Sequence, residues 1–290
     1  MNLDHLKYFR DAALVGSISK AARENFVTQS AVSRAVAKLE EDLGAELVVH
    51  GKNRFQLTEV GEAVLARATE IFDSIRVLKD ETISHASTLK GPLRVGCNQA
   101  IASRLIAPTL TELTKSYPKI EPVILLGNTD QVQQSLDRGE IDFGIVMDDG
   151  DVGTRYKSAP LYKGEFVVVK ATGNRDADPA ENLVVSRTKK GGVSQKYLAS
   201  YKREYGTSIA PKLTVASWQV IMDLAIAGYG CALVPSFLCK EELERKTLEL
   251  VRHKVKAIPF TLCVIVARGK VLPKNAKALI SAFETSTAKI

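Results

Sequence analysis

The sequence predicts a multidomain protein: an all-α winged helix-turn-helix with a long linker helix, followed by an α/β domain of two lobes. Three observations carry this. Two short helical patterns meet at a tight turn, and a hairpin pattern follows them. A proline-free helical stretch then runs from Thr58 to about Ser87. Beyond Lys90-Gly91-Pro92, strand-like and helix-like segments alternate. The expected division is 1–58, 59–89 and 90–290, with lobe I at about 91–161 and 266–290 and lobe II at about 162–265.

The first helix, 3–14, repeats Leu3, Leu6, Phe9, Ala13 and Leu14 on one face. Gly16 breaks it, and Ser17 caps a second helix at about 18–25. Thr28 opens a helix of about 29–42 that Gly44 ends. Leu47 to Leu57 carries β-type residues around Gly51-Lys52-Asn53, as a hairpin does. In the long helix, Val60, Val64, Ala68, Ile71, Ile75 and Leu78 recur at steps of three and four. That is a coiled-coil-like seam suited to a second copy of the chain; the alternative is a helix packed on its own domain. The α/β part reads as strands at 93–97, 123–126 and 142–146 with helices at 102–116 and 130–138. A second set follows, with strands at 166–170, 183–186, 213–215 and 231–234 and helices at 193–204 and 218–227. A strand at 262–267 and a helix at 274–285 return to the first lobe. Such alternation predicts a parallel sheet with helices on both faces.

Composition excludes several classes. Net charge is +7, but residues 1–90 hold 12 Lys+Arg against 13 Asp+Glu, whereas 91–290 hold 28 against 20. The basic balance therefore belongs to the second part. No apolar run approaches the roughly 20 residues of a membrane span. Met1 to Leu14 carries Asp4, His5, Lys7, Arg10 and Asp11 where a secretory signal needs a continuous apolar centre. A cytoplasmic protein with no membrane partner is expected. Cys97, Cys231, Cys239 and Cys263 form no C-x-x-C pair, and the four histidines are scattered, so no metal site is expected. Buried apolar thiols are the simple reading, and a redox switch between Cys231 and Cys239 the alternative. Phosphate-loop, dinucleotide, zinc-protease and nucleophile-elbow motifs are missing, so the chain is not read as an enzyme and has no catalytic residues.

The chemistry concentrates on the helix after Thr28. Val32, Val36 and Leu39 share one face and can pack on the small Ala21 and Ala22. The opposite face holds Gln29, Ser30, Ser33, Arg34, Ala37 and Lys38, and no acid lies between Phe26 and Leu39. The bland alternative is a solvated helix face. The sharper one is a duplex-DNA major groove, where Gln29 suits adenine and Arg34 guanine. Ser33 suits base or phosphate, Lys38 suits phosphate, and Thr28 and Ser17 sit where helix N-termini meet phosphate.

These residues resemble the LysR-type transcriptional regulators nearly end to end. The resemblance is carried by Leu6, Phe9, Ser17-Ile18-x-x-Ala21-Ala22, Thr28-Gln29-Ser30-Ala31-Val32-Ser33-Arg34, Leu39-Glu40-x-x-Leu43-Gly44 and Leu57-Thr58-x-x-Gly61. In the second part it is carried by Leu136-x-x-Gly139-x-Ile141-Asp142-x-x-Ile145 and Ala227-Gly228-x-Gly230-x-x-x-Val234-Pro235, a pattern shared with the architecture of periplasmic solute-binding proteins. A solute-binding protein would need export, which the N-terminal region does not suggest. The resemblance implies a dimerising linker helix and a periplasmic-binding-protein-like effector domain that the chain crosses twice. It implies homodimers joined into homotetramers on an interrupted palindrome near a promoter, with a small-molecule co-inducer as the only cofactor and RNA polymerase as a further partner. Departures are Ser30 where proline is common, and a wing with Lys52 and Arg54 but Asn53 between them and His50 before them. Fewer fixed wing cations imply fewer phosphate contacts.

Two-lobed α/β domains bind ligands beyond the C-terminal ends of their strands. That rule selects Asn98, Gln99, Ser103, Thr129 (an expected N-cap), Asp148, Ser186, Ser217 and Trp218. By resemblance, the loops of Asn98, Gln99, Thr129 and Trp218 correspond to effector-contacting loops; ordinary capping is the alternative for Thr129 and Ser103, and core packing for Trp218. Helix N-termini favour anions, so a carboxylate-bearing effector is the expectation. Between Asn182 and Arg203 lie Arg187, Lys189, Lys190, Lys196, Lys202 and Arg203 with no acid. This is a solvated face, or one that attracts an anionic effector, polymerase or DNA.

Overall fold

A computed structural model describes residues 2–49, 55–82, 89–148, 152, 155–187 and 192–287. Helix α1 (Leu3–Val15) starts at Asn2, whose side chain accepts from the Asp4 N–H, and ends at Gly16 in the left-handed region. Ser17 caps α2 (Ile18–Glu24) and Thr28 caps α3 (Gln29–Leu43), each accepting from a backbone N–H three residues on. Leu6, Phe9, Ala12, Ala21, Ala22, Val32, Val36 and Leu39 form one core with Leu47 and Val48. The alanines let α2 and α3 approach closely, as the sequence suggests.

Val48 and Leu57 pair antiparallel, and the Val49 N–H donates to the Gln56 carbonyl at 2.8 Å, so the base of the hairpin is formed. Its tip, with His50, Lys52, Asn53 and Arg54, lies outside the described residues. Glu40 anchors this segment. One carboxylate oxygen accepts from the Leu47 and Val48 N–H groups at 2.8 and 3.1 Å.

Helix α4 (Glu59–Thr82) leaves the hairpin at Gly61, where a Cβ would stand 2.0 Å from the Leu47 carbonyl oxygen. Only glycine allows that approach. The helix presents two apolar stripes. Leu65, Ala68 and Phe72 face the helix-turn-helix core, with the Arg10 guanidinium 4.3 Å over the Phe72 ring. Val60, Ile71 and Leu78 are exposed. Ala68 and Val64 are thus corrections to the expected seam, since Ala68 is buried and Val64 half-buried against their own chain.

The remaining elements are β1 (Gly91–Cys97), α5 (Gln99–Ile101), a π-helical turn (Ala102–Ile106), α6 (Ala107–Ser116), β2 (Ile120–Leu126), α7 (Thr129–Asp137) and β3 (Phe143–Asp148). Next come β4 (Tyr156–Ala171), α8 (Pro179–Asn182), β5 (Leu183–Ser186), α9 (Val193–Tyr205), β6 (Leu213–Val215), α10 (Trp218–Ile226) and β7 (Cys231–Pro235). They end with α11 (Ser236–Glu244), β8 (Leu248–Leu250), β9 (Ile258–Ala267) and α12 (Lys274–Thr287). The strand order is β2-β1-β3-β9-β4-β7-β5-β6, with β8 on β4.

The sheet is mixed, which corrects the expectation of a parallel one. Each lobe has a parallel trio, β2-β1-β3 and β7-β5-β6. Between them β4 and β9 run antiparallel from Tyr156↔Ala267 to Phe166↔Ile258, with a register shift between Pro160 and Tyr162. β4, read as 166–170, is 16 residues long; its early part buries only Tyr156 and Leu161 and leaves Lys157 to Pro160 exposed, so it shows no apolar run. These paired strands are the two crossings between lobes, and they bring the C-terminal ends of both trios to one cleft.

The sensor also grips α4. Lys270, 4% exposed, pairs with Asp73 at 2.8 Å and donates to the Ile141 carbonyl at 3.0 Å. Gly139, at φ +66°, lies against Thr69: a Cβ there would stand 2.0 Å from the threonine methyl.

Candidate DNA-binding surface and ligand cleft

Helix α3 buries Val32, Ala35, Val36 and Leu39 and exposes Gln29, Ser30, Ser33, Arg34 and Lys38. The split follows from the 3.6-residue period, with every polar candidate on the outer side. Thr28 both caps and lies within hydrogen-bond distance of Ser30, their hydroxyls 3.0 Å apart. With serine where proline is common, a hydroxyl pair stands at the helix N-terminus. The Arg34 Nε–H donates to the Ser30 carbonyl at 3.3 Å, which leans the side chain toward that same end. Ser17 is half-buried and spends its oxygen on the Lys20 N–H.

Lys38, read as a phosphate contact, is exposed but already engaged by acids of its own helix. Its ammonium lies 2.8 Å from Glu41 and 3.6 Å from Asp42. The hydrogen bond that the ammonium donates to Glu41, then that carboxylate's charge, raise the lysine above its ordinary pKa. These acids follow the acid-free stretch and reach back into it by one helical turn.

The structure orders the cleft residues differently from the sequence. Asn98, read as a pocket group, caps α5 by accepting from the Ile101 N–H at 2.9 Å. Gln99 is exposed at the first helical position. The helix after β1 begins there, so Ser103 is not near its start. Ser103 lies in the π-helical turn, exposed, donating to the Ala100 carbonyl. Thr129 is not the cap of α7. Asn128 is, in a capping box with Gln131, and Thr129 is the half-buried first residue. The signal was Asn-x-x-Gln, overlooked because Thr129 is also a competent cap. Asp148 is exposed at the end of β3, where the Cys263 thiol approaches it at 4.0 Å. Ser186 is buried, and its carbonyl accepts from the Ser194 hydroxyl at 2.6 Å.

Ser217 caps α10, and Trp218 is its first residue, half-buried and edge-on to Phe166 at 5.9 Å. The Trp218 Nε1–H is shielded from solvent and finds no acceptor among the described residues. Helices α5 and α10 approach each other across the cleft, so Gln99 and Trp218 belong to facing elements. Beside them Arg104 reaches from lobe I to Glu242 at 2.5 Å and Glu241 at 3.1 Å on α11. Sequence reasoning missed this inter-lobe pair, because nothing in a lone arginine and a distant Glu-Glu marks a contact.

All four cysteines are buried as free thiols. Burial raises Cys231 to about 11 and Cys97 and Cys239 to about 12, and Cys263 also rises. A thiolate is the reactive species, so these environments oppose redox chemistry. The native protein is expected to react little with a chromogenic disulfide reagent at neutral pH, and to release four thiols after unfolding. Rapid reaction of Cys231 or Cys239 in the native state would restore the switch. Among the described residues no group of His, Cys, Asp and Glu could hold a metal ion, and no helix is long and apolar enough to cross a membrane. Of the basic stretch in lobe II, Arg187, Lys196, Lys202 and Arg203 are exposed, and Lys189 and Lys190 lie outside the described residues.

Comparison with known proteins gives the same two parts. Residues 3–62 match the family described as bacterial regulatory helix-turn-helix protein, lysR family, and residues 86–288 match the LysR substrate binding domain. The helix-turn-helix-type transcriptional regulator YfeR of Shigella flexneri is 32% identical over 167 residues, 58% of this chain and 54% of that one, so the match spans about half its length. Full-length OxyR from Pseudomonas aeruginosa superposes with a TM-score of 0.75 at 20% identity, covering 98% of this chain and 94% of the other. LysG from Corynebacterium glutamicum, solved with bound effector Arg, gives 0.68 at 18% identity, covering 100% and 99%.

Proposed function

The chain belongs to the LysR-type family of DNA-binding transcriptional regulators, and on that premise we propose that a small anionic effector held between its lobes switches its action on DNA. The observation that carries the effector half is the Trp218 indole. A buried N–H without an acceptor is costly, and a ligand oxygen at that point relieves the cost. It sits on the first residue of α10, where helix N–H groups favour negative charge, and α7 offers a second such end from lobe I. LysG, of the same fold, was solved with bound effector Arg, which carries a carboxylate but is a cation overall, so it supports a small-molecule site and not the anionic class. The effector set is Asn98, Gln99, Ser103, Thr129, Asp148, Ser186, Ser217 and Trp218. Ser103 is its weakest member, being exposed within a helix, and Asp148 disfavours an anion unless the ligand also carries a cation.

The DNA set is Ser17, Thr28, Gln29, Ser30, Ser33, Arg34 and Lys38 with Lys52 and Arg54 of the wing. The exposed stripe of Val60, Ile71 and Leu78 on α4 supports pairing through the linker helix. The protein then works in the cytoplasm as a homodimer or homotetramer on an interrupted palindrome near a promoter, where it engages RNA polymerase. The domains are 1–58, 59–89 and 90–290, with the lobe boundaries at the paired strands.

The test is a thermal-shift screen of small carboxylates, amino acids and aromatic acids. A ligand present at a hundred times its Kd stabilises the folded state by about 2.7 kcal/mol. The single tryptophan supplies a second readout, because binding at the cleft must change its fluorescence. A hit whose affinity is unchanged in Trp218→Phe refutes the assignment of the indole, and hits confined to neutral or cationic compounds refute the anionic class.

A further inference from the structure

We propose that Phe26 is a further specificity-determining residue, whose ring reads a thymine methyl in the major groove beside the N-terminus of α3. The inference rests on α3 being the DNA-reading helix. Phe26 lies in the turn between α2 and α3 and is 96% exposed. Among the described residues no other exposed large apolar side chain exceeds 60%. Its backbone stands at φ +55°, in the left-handed region that a bulky side chain disfavours.

The turn itself is firmly held. The Phe26 N–H donates to the Arg23 carbonyl at 3.2 Å, and the Val27 N–H to the Ala22 carbonyl at 3.0 Å. Asn25 donates to Asp11 of α1 and to the Ala21 carbonyl, both at 2.9 Å. Glycine or asparagine would meet this conformation at less cost and without exposing a ring. Phenylalanine is therefore unfavourable here twice over, in its backbone and in its solvation, and the ring joins neither the local core nor any aromatic pair described. The turn's hydrogen bonds end α2 in the usual left-handed conformation and account for the backbone angle, but they do not account for the bare ring, and that exposure points to an external partner.

Position and chemistry identify that partner. Phe26 is two residues before Thr28, so its Cα lies within about 7 Å of the cap that opens α3. The ring extends the exposed set of Thr28, Gln29, Ser30 and Ser33, and no carboxylate lies between Phe26 and Leu39 to repel a phosphate backbone. In the major groove the apolar feature of a base pair is the C5 methyl of thymine, and phenylalanine is a side chain that meets it. A duplex with thymine at the outer edge of the half-site is the occupant that this surface fits.

The experiment selects randomised duplexes with the full-length protein, its Phe26→Asn variant and Arg34→Ala. Asparagine tolerates the left-handed turn, so F26N should melt no lower than the wild type. The wild-type motif should contain one thymine per half-site that F26N no longer requires, whereas Arg34→Ala loses a different position. Uracil at the thymine position, which removes only the methyl, should weaken wild-type binding about fourfold, the weight of one buried methyl, and leave F26N unchanged. Identical motifs and identical uracil effects for the two proteins would overturn the proposal. So would a uniform loss of affinity with an unchanged motif, which places the ring on the backbone or in the fold. If the wild type selects no motif, the DNA-reading helix fails and Phe26 with it; a wild-type motif that F26N shares sinks Phe26 alone.

Discussion

Arg34→Ala is expected to remove most of the preference for operator over unrelated DNA, by about 10- to 100-fold, the weight of one bidentate contact to a base. The expectation comes from where the side chain stands. Arg34 is exposed in the second turn of α3, on the side opposite Val32, Val36 and Leu39. Its Nε is held to the Ser30 carbonyl, so the outer nitrogens approach the groove from an organised start. Affinity for unrelated DNA should fall only by the share of one phosphate contact. Lys38→Ala gives the contrast. Its ammonium already meets Glu41 and Asp42, and a phosphate must displace them. The salt dependence of binding should therefore flatten by less than the roughly one log–log unit of a free cation. Competitive anisotropy titrations on the two DNAs measure both. Equal loss on operator and unrelated DNA for Arg34→Ala would assign the guanidinium to phosphate.

Gly139→Ala is expected to loosen the sensor from the linker helix. Two independent costs meet at this residue. An L side chain at φ +66° loses about 1–2 kcal/mol in the left-handed region. The new Cβ would also stand 2.0 Å from the Thr69 methyl. Thr69 cannot swing away freely, because it is buried and its hydroxyl is bound to the Leu65 carbonyl at 2.8 Å. Overpacking of that kind costs a further 1–3 kcal/mol, about as much as the backbone term or more. Lys270 and Asp73 lie on the same contact, so the displacement also separates a buried ion pair. The variant should melt lower and scatter X-rays as a longer particle. Adding Thr69→Ala should recover only part of the packing share, because the Cβ it keeps would still stand 2.8 Å away, and should leave the backbone share. An unchanged melting temperature and unchanged dimensions for Gly139→Ala would show that the two parts do not meet there.

The helix-turn-helix is legible in the sequence because its signals are local. Ser17, Thr28, Gly16 and Gly44 cap or end helices within three residues of themselves, and the apolar period points Val32, Val36 and Leu39 inward. The two α/β lobes are legible from alternation, since each β-α step is a short apolar run and a short amphipathic one. The antiparallel pair of β4 and β9 is not, because strand direction is settled by partners about a hundred residues apart in the chain. The early part of β4 shows no apolar run, which hid ten residues of it. At the cleft, Asn128 and Thr129 compete for one cap, and only geometry decides. Arg104 and the Glu241–Glu242 pair make a contact between distant segments with no local trace. The contacts of Lys38 with Glu41 and Asp42 are hidden for a related reason, since those acids sit a turn away and the side chains must be placed to see them meet. Phe26 was visible only as the start of an acid-free stretch; its exposure and backbone angle are properties of the folded turn.

Everything functional here depends on the outer face of α3 entering duplex DNA. The most direct measurement titrates the full-length protein, at several salt concentrations, onto the DNA upstream of its own gene and onto a scrambled duplex of equal length and composition. The account predicts tighter binding to the upstream DNA by at least about 1000-fold, with both affinities falling steeply as salt rises. Equal affinity for the two duplexes at every salt concentration would contradict it.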